Sequence, residues 1–314
     1  MPVRPSPSVP ATTGGLDYVH GFNPSLEPVP VACWSNDVSS KAKGSTLNSA
    51  VSREQAIDSI AERLKPDHSI RALYLSGSFG AGLEDRFSDI DFLAVVDDDR
   101  LQTLPQTWRS AVSEICEIVL WREFKRRNLL INIVTAEWLR IDLVTVSPDQ
   151  MGRYAQDGLK ILFDRDRLFD GLPPDSAPSA PQPEKLKYQI EEFIRILGLM
   201  PVAMGRKEYF NSITGTFHLR NLLVDLLIEE TGAPHRGGAL HIQRLITDEQ
   251  KALLYSLPAL SADRESAIEA NLAYAAAYLP RARKLAERVG LEWPQRFEQV
   301  TRENLKRELD IDLP

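Results

Sequence analysis

The chain has 314 residues, of which 43% are hydrophobic and 26% are charged, and its formal net charge at pH 7 is −7. This length and composition predict a globular protein with room for two domains, each able to bury an apolar core. The acidic balance argues against a dedicated duplex-binding protein, which is normally basic, so a nucleic-acid partner is less favoured than a small molecule. No apolar run approaches the roughly 20 residues needed to span a bilayer, so we expect no membrane-spanning helix.

The N-terminal stretch and the cysteines indicate a cytoplasmic protein. Arg4 is not followed by an apolar segment, so we do not expect a secretory signal. The two cysteines, Cys33 and Cys116, fit neither a disulfide framework nor a metal-binding spacing, as is typical of proteins in a reducing compartment. We therefore expect a cytoplasmic location. The oligomeric state stays open at this point.

The chain begins with a segment of low complexity and then a helix. Residues 1–50 are rich in Pro, Ser, Thr and Gly, which predicts an extended or partly disordered arm. Ser52 can cap a helix together with Gln55, three residues later. An apolar stripe follows, and Pro66 is expected to end the helix.

Residues 51–170 alternate between strand-like and helical patterns. We predict strands over 70–75, 89–96, 129–134, 138–146 and 159–163. We predict helices over 105–124, where apolar residues recur at helical spacing, and over 148–157. This alternation predicts a unit of mixed α and β structure, with a sheet and flanking helices.

A Pro- and Ser-rich stretch, 171–183, separates this unit from a helical region and is interpreted as a linker. Beyond it, apolar residues recur every three or four positions and no strand pattern is convincing. Helices are predicted over 184–199, 207–231, 247–256, 261–279 and from there to the C-terminus. We therefore expect residues 184–314 to form a second, all-α domain.

The stretch 74–96 carries the residues with the clearest chemical meaning. Gly77 and Ser78 follow the first strand, and Asp89 and Asp91 begin the next one. Alternate residues of a strand share a face, so the two carboxylates point the same way, about 7 Å apart. Such a pair can hold a divalent cation, while a Gly-Ser turn can approach a phosphate closely. The stretch therefore predicts Mg²⁺-dependent phosphoryl or nucleotidyl transfer.

A third carboxylate, Asp142, lies in the middle of the strand predicted over 138–146. A charged residue among β-branched neighbours is costly unless it reaches solvent, a partner or a metal. We interpret Asp142 as the third acid of the same site. The alternative is an acid on an edge strand, paired with Arg140.

These residues resemble the signature of the DNA polymerase β-like nucleotidyltransferase superfamily, in which a Gly-Ser pair is followed, after ten residues, by Asp-x-Asp. With Ser88 included, the run is most similar to the antibiotic nucleotidyltransferases that act on aminoglycosides and lincosamides. The resemblance implies an α+β fold, in which a catalytic domain with a mixed β-sheet and flanking helices (51–170) is followed by a helical bundle that binds the acceptor.

The resemblance also implies the roles of the site residues. Asp89 and Asp91 would bind Mg²⁺, and two ions are expected. Ser78 would contact the triphosphate of ATP or of another nucleoside triphosphate. Asp142 would be a metal ligand or the general base. Many relatives carry Arg three residues after the Ser of the Gly-Ser pair, where this chain has Ala81.

Two basic residues, Arg86 and Lys160, are candidates to supply the positive charge that Ala81 does not. In the helical half, His218, Asn221 and Asp225 are spaced i, i+3 and i+7, which places them on one helix face. This polar stripe either faces solvent or lines the acceptor pocket, where Asp225 would attract a cation.

The sequence therefore predicts a Mg²⁺-dependent nucleotidyltransferase that moves AMP, or another nucleoside monophosphate, to a hydroxyl of a small molecule of the aminoglycoside or lincosamide type. Two alternatives stay open. The acceptor could be tRNA or a protein, as for a toxin-like or regulatory transferase, or the chain could be a relative that binds nucleotides without turnover.

Overall fold

The computed structural model describes residues 51–125, 127–177, 180–233 and 241–314. They belong to one compact unit, Val51–Pro314. The arm predicted over 1–50, like part of the linker at 178–179, lies outside the described residues.

A single six-stranded sheet forms the first part of this unit, in the spatial order β3-β4-β5-β2-β1-β6. Strands β2 and β5 are parallel, and the other neighbouring pairs are antiparallel, so the sheet is mixed, as expected. The strands are β1 Ile70–Leu75, β2 Ile90–Val96, β3 Ile118–Lys125, β4 Leu129–Thr135, β5 Arg140–Val146 and β6 Lys160–Asp164.

Three helices accompany the sheet: α1 Arg53–Leu64, α2 Gly77–Gly80 and α3 Leu104–Ser113. The predicted cap of α1 is confirmed, because Ser52 and Gln55 each accept a hydrogen bond from the other's backbone N–H. Buried residues of α1 and α3 pack on one sheet face, where Trp108 lies edge-on to Phe92 with ring centroids 5.0 Å apart. The core of this part therefore lies between the sheet and these two helices.

The helix predicted over 105–124 is wrong in its second half. Helix α3 ends at Ser113, and the chain then pairs with β4 as strand β3. This strand lies at the sheet edge, with Val119 and Phe124 at least half exposed. Because an edge strand has little of its surface against the core, its apolar residues need not alternate, and their spacing resembled that of a helix.

The short helix predicted over 148–157 is also absent from the described residues. Two 3₁₀ turns, Pro148–Arg153 and Gln156–Gly158, take its place. The first of them contributes Met151 to a second, smaller apolar cluster on the opposite face of the sheet, which also includes Tyr74 and Leu93. Both sheet faces are therefore covered.

The described residues from Pro183 onwards are mostly helical, as predicted. Phe193 stacks on Tyr278 at the centre of its apolar core, with ring centroids 3.8 Å apart. None of the helices in the described ranges is long and apolar enough to cross a membrane. The helices are α4 Pro183–Gly198, α5 Met200–Gly205, α6 Tyr209–Thr231, α7 Ile242–Leu245, α8 Asp248–Ser256, α9 Arg264–Arg288 and α10 Gln295–Leu309.

The buried apolar residues of the sheet and of the helices form separate clusters. The sequence predicted a division into a catalytic domain over 51–170 and a helical domain over 184–314. The division stays a prediction, since the described residues belong to one compact unit.

Candidate active site

Three carboxylates meet at the start of strand β2. Asp89 immediately precedes β2, Asp91 lies within it, and Asp142 lies in the neighbouring parallel strand β5, directly opposite Asp91. One oxygen from each of the three lies within 4.8 Å of the others. Carboxylate oxygens are the ligands that Mg²⁺ prefers, so the donor set fits such an ion. The parallel pairing thus joins residues more than fifty positions apart into one group.

Burial and the proximity of the acids change the protonation of Asp91 and Asp142. Burial, together with the nearby charges of Asp89 and Asp142, raises the pKa of Asp91 to about 7, although Arg140 acts in the opposite direction. Burial also raises the pKa of Asp142, while a hydrogen bond with Asn132 on β4 opposes the change. A divalent cation among the three acids would relieve both the repulsion and part of the desolvation.

Arg140 forms an ion pair with Asp89. The alternative interpretation of the sequence had paired Arg140 with Asp142 instead. Its Nη1 lies 3.5 Å from Asp89 Oδ2, and its Nη2 donates a hydrogen bond of 2.9 Å to the carbonyl of Phe87. The guanidinium therefore connects strand β5 to the loop before β2 and balances part of the negative charge.

Gly77 lies against the carboxylate of Asp91, and only glycine fits at this position. Its φ of +57° is in the left-handed region, and a Cβ at this position would lie 2.1 Å from Asp91 Oδ2. The neighbouring residue, Ser76, donates a backbone hydrogen bond of 2.8 Å to the carbonyl of Asp91. The Gly-Ser turn is thereby held directly beside the carboxylates.

The two candidate serines have different surroundings. Ser78 is buried, and its hydroxyl has no hydrogen-bond partner within the described ranges. A buried hydroxyl without a partner is costly, so this position is not explained by hydrogen bonding among the described residues. Ser88 is also buried, but its hydroxyl accepts a hydrogen bond of 3.0 Å from the backbone N–H of Asp85, and its carbonyl accepts one from Arg53. Ser88 therefore shapes the loop.

The candidate cations are both exposed. Lys160 begins β6 and pairs with Leu75, the last residue of β1, so it lies next to the Gly-Ser turn. The guanidinium of Arg86 instead lies over the ring of Phe87, 4.4 Å from its centroid. Ala81 follows α2, and its N–H donates to the carbonyl of Gly77. A contact of either cation with the triphosphate stays a prediction.

The polar stripe on α6 faces helix α4. The Nε2 atom of His218 lies 3.8 Å from Glu192 Oε1, and Asp225 accepts a hydrogen bond of 3.3 Å from Gln189. Asn221 accepts one from its neighbour Arg220. Their role in binding an acceptor stays a prediction.

A surface depression of about 440 Å³ lies between α4 and the start of α10, which the sequence analysis did not identify. The aromatic and acidic side chains that α4 contributes are spaced i, i+3 and i+4, with an arginine at i+7, and this spacing was the signal that could have revealed the depression. Arg195 donates two hydrogen bonds of 2.7 Å to Glu192, which lowers the pKa of that carboxyl below its ordinary value. The lining residues are Tyr188, Glu191, Glu192, Arg195, Pro294 and Phe297.

The mixed sheet, the glycine turn and three facing carboxylates define the class of protein as a nucleotidyltransferase. A family model described as streptomycin adenylyltransferase matches residues 51–307. The chain therefore belongs to the streptomycin adenylyltransferase family and is an adenylyltransferase, an enzyme that transfers a nucleoside monophosphate to a small molecule.

Comparison with solved structures gave distant similarities. The aminoglycoside 6-adenyltransferase from Bacillus subtilis is 13% identical, with 81% of this chain and 97% of that chain covered and a TM-score of 0.38. A nucleotidyltransferase-like protein from Exiguobacterium sibiricum is 14% identical, with 82% and 89% covered and a TM-score of 0.36. A search of curated proteins found no match.

Proposed function

We propose that this enzyme transfers AMP from ATP to a hydroxyl of a small molecule in a Mg²⁺-dependent reaction. The observation that carries the proposal is the convergence of Asp89, Asp91 and Asp142, whose oxygens lie within 4.8 Å of one another. Membership of an adenylyltransferase family favours AMP as the transferred group. The three carboxylates would hold two ions.

In the proposed mechanism, Asp142 has a different part from Asp89 and Asp91. Bound Mg²⁺ would neutralise charge on the phosphates and make the acceptor hydroxyl more acidic. Asp142, whose pKa is raised by burial and which is therefore a stronger base than an ordinary carboxylate, would accept the proton of that hydroxyl. The hydroxyl oxygen then bonds to the α-phosphorus as the bond from phosphorus to the pyrophosphate oxygen breaks. Asp89 would be held in place by its ion pair with Arg140, and Asp91 by its position within strand β2.

The Gly-Ser turn would hold the triphosphate. Gly77 leaves room for the phosphates beside Asp91, and the unpartnered hydroxyl of Ser78 would donate to a phosphate oxygen. Lys160, exposed beside the turn, would balance the charge of the leaving pyrophosphate. Arg86 would join it by leaving the ring of Phe87. Ser88 would contribute by shaping the loop.

The acceptor would be a cationic molecule of the aminoglycoside or lincosamide type, with streptomycin the first to test because of the family description. The depression between α4 and α10 supports this, since Glu191 and Glu192 lie in it beside two aromatic rings. Carboxylates and aromatic faces both attract cations. The stripe formed by His218, Asn221 and Asp225 would add polar contacts from α6, next to Glu192.

The proposal is tested by measuring pyrophosphate release with each of the four ribonucleoside triphosphates against streptomycin, other aminoglycosides, lincomycin and bulk tRNA. We expect release with ATP and a small acceptor, and a product heavier by one adenylyl group in mass spectrometry. Asp91→Asn should abolish release, while Asp58→Asn, which changes an exposed acid on α1, should not. Full activity of Asp91→Asn, or transfer to tRNA alone, would refute the proposal.

A further inference from the structure

Trp138 has an unusual backbone conformation for its residue type. It lies in the connection between β4 and β5 with a φ of +65°, in the left-handed region that bulky residues rarely adopt. The turn holds it there, since its N–H donates a hydrogen bond of 2.9 Å to the carbonyl of Thr135. The next N–H, that of Leu139, donates to the hydroxyl of the same threonine. Glycine would meet this geometry without strain.

Packing within the chain does not account for a tryptophan here. The residue is 77% exposed, and within the described ranges neither another ring nor a cation stacks on its indole. Because the side chain is exposed to water, it contributes little hydrophobic stabilisation to the fold. Its backbone conformation adds a free-energy cost. Such an outlier is a reason to look for a ligand.

The position of Trp138 connects it to the candidate active site. Two residues later, Arg140 contacts both the carboxylate of Asp89 and the carbonyl of Phe87. Phe87 is itself 68% exposed. Two exposed aromatic residues therefore lie close in the chain, or by a hydrogen bond, to the arginine that pairs with Asp89. All of them are at the end of the sheet where the central strands β2 and β5 begin.

The order of the strands indicates which substrate would meet them. The Gly-Ser turn and Lys160 belong to β1 and β6, on one side of Asp91. The connection that carries Trp138 belongs to β4 and β5, on the other side. In-line transfer requires the attacking hydroxyl to approach opposite the leaving pyrophosphate. If the triphosphate lies over β1 and β6, the acceptor arrives from the side of Trp138.

We propose that Trp138 is a specificity-determining contact for the acceptor, with its indole stacking on the face of an acceptor ring. This inference rests on the function proposed above. A stacked ring is attracted by dispersion and apolar burial, and more strongly if it carries positive charge.

Trp138→Gly separates binding from stability, because glycine removes the side chain and also relieves the positive φ. We expect it to raise the KM for the acceptor about three- to thirtyfold, the range that loss of one aromatic contact gives, with the KM for ATP within twofold of wild type. Its melting temperature should equal or exceed that of wild type. Trp138→Phe, which keeps an aromatic face, should restore most of the affinity.

Lys207→Gly is the matched control, because Lys207 is exposed with a φ of +58° and lies in the helical region. It should also be at least as stable as wild type, with both KM values unchanged. Streptomycin serves as the first acceptor, followed by each compound that the wild type adenylylates.

A second readout does not need turnover. Streptomycin, added with Mg²⁺ and a non-hydrolysable ATP analogue, should quench the tryptophan fluorescence of wild type more than that of Trp138→Phe. An unchanged acceptor KM in Trp138→Gly would overturn the role of Trp138 while leaving the proposed function intact. If wild type adenylylates no acceptor, the proposed function fails, and this inference fails with it.

Discussion

Replacing Gly77 by alanine tests the contact between the glycine turn and the carboxylates. The new Cβ would lie 2.1 Å from Oδ2 of Asp91, a separation that real Cβ atoms do not show. Asp91 therefore has to rotate away from Asp89 and Asp142, or the turn has to shift. Either change separates the three oxygens that now lie within 4.8 Å.

The effects on stability and on activity should differ in size. An alanine at a φ of +57° costs about 1–2 kcal/mol of unfolding free energy. Rotating Asp91 outward adds little, because the pKa of this carboxyl is already raised by burial and by its acidic neighbours. Losing one ligand of the proposed metal site should remove on the order of 3 kcal/mol of transition-state stabilisation, which lowers kcat more than a hundredfold.

Urea denaturation and pyrophosphate release measure the two quantities separately. Gly290→Ala is the control, since Gly290 has a φ of +70° and nothing within 4 Å of its would-be Cβ. It should lose the same 1–2 kcal/mol, by the same backbone effect, and keep full activity. If Gly77→Ala retains turnover within about threefold of Gly290→Ala, a factor worth less than 1 kcal/mol, the carboxylate group is not the catalytic site.

Two further predictions concern the same site. Ser78→Ala should leave the unfolding free energy unchanged or raise it, because it removes a buried hydroxyl that has no partner within the described ranges. The KM for ATP should rise. A thermal melt and initial rates would measure the two effects, and an unchanged KM would contradict the phosphate contact. In metal-free protein, the raised pKa of Asp91, about 7 against an ordinary 3.8, should make stability fall as pH rises from about 4 to 7 and then level off, because the folded state binds more protons in that window. Asp91→Asn should flatten this slope in pH-dependent urea titrations, and Mg²⁺ should stabilise wild type more at pH 8 than at pH 5; a slope equal in both proteins would exclude Asp91 as its source.

Most elements could be predicted because their signals are local. The apolar stripe and cap of α1, the buried strands β1 and β2, and the long helices α6 and α9 agree with their patterns to within a few residues, except that α9 extends well beyond the predicted 279. The failure at β3 has a physical cause. An edge strand is stabilised by hydrogen bonds to a single neighbour, and those bonds leave little trace in residue type.

The sequence by itself was enough to recognise the family resemblance, the pair of carboxylates Asp89 and Asp91 as candidate metal ligands, and the glycine turn. All of these lie within fifteen residues, so strand alternation and turn chemistry are enough to relate them. Asp142 could be proposed from its cost in mid-strand, but only the parallel pairing of β2 with β5 places it opposite Asp91.

The tertiary structure alone decided the remaining features, and most of them depend on atoms that are distant along the chain. The clash between a Cβ at Gly77 and Asp91, the link from Arg140 to Asp89 and the depression between α4 and α10 all arise from packing. The strained backbone of Trp138 is a property of one turn, and residue type would have argued against it. Residue patterns report local preference, whereas the approach of one element to another is set by the whole fold.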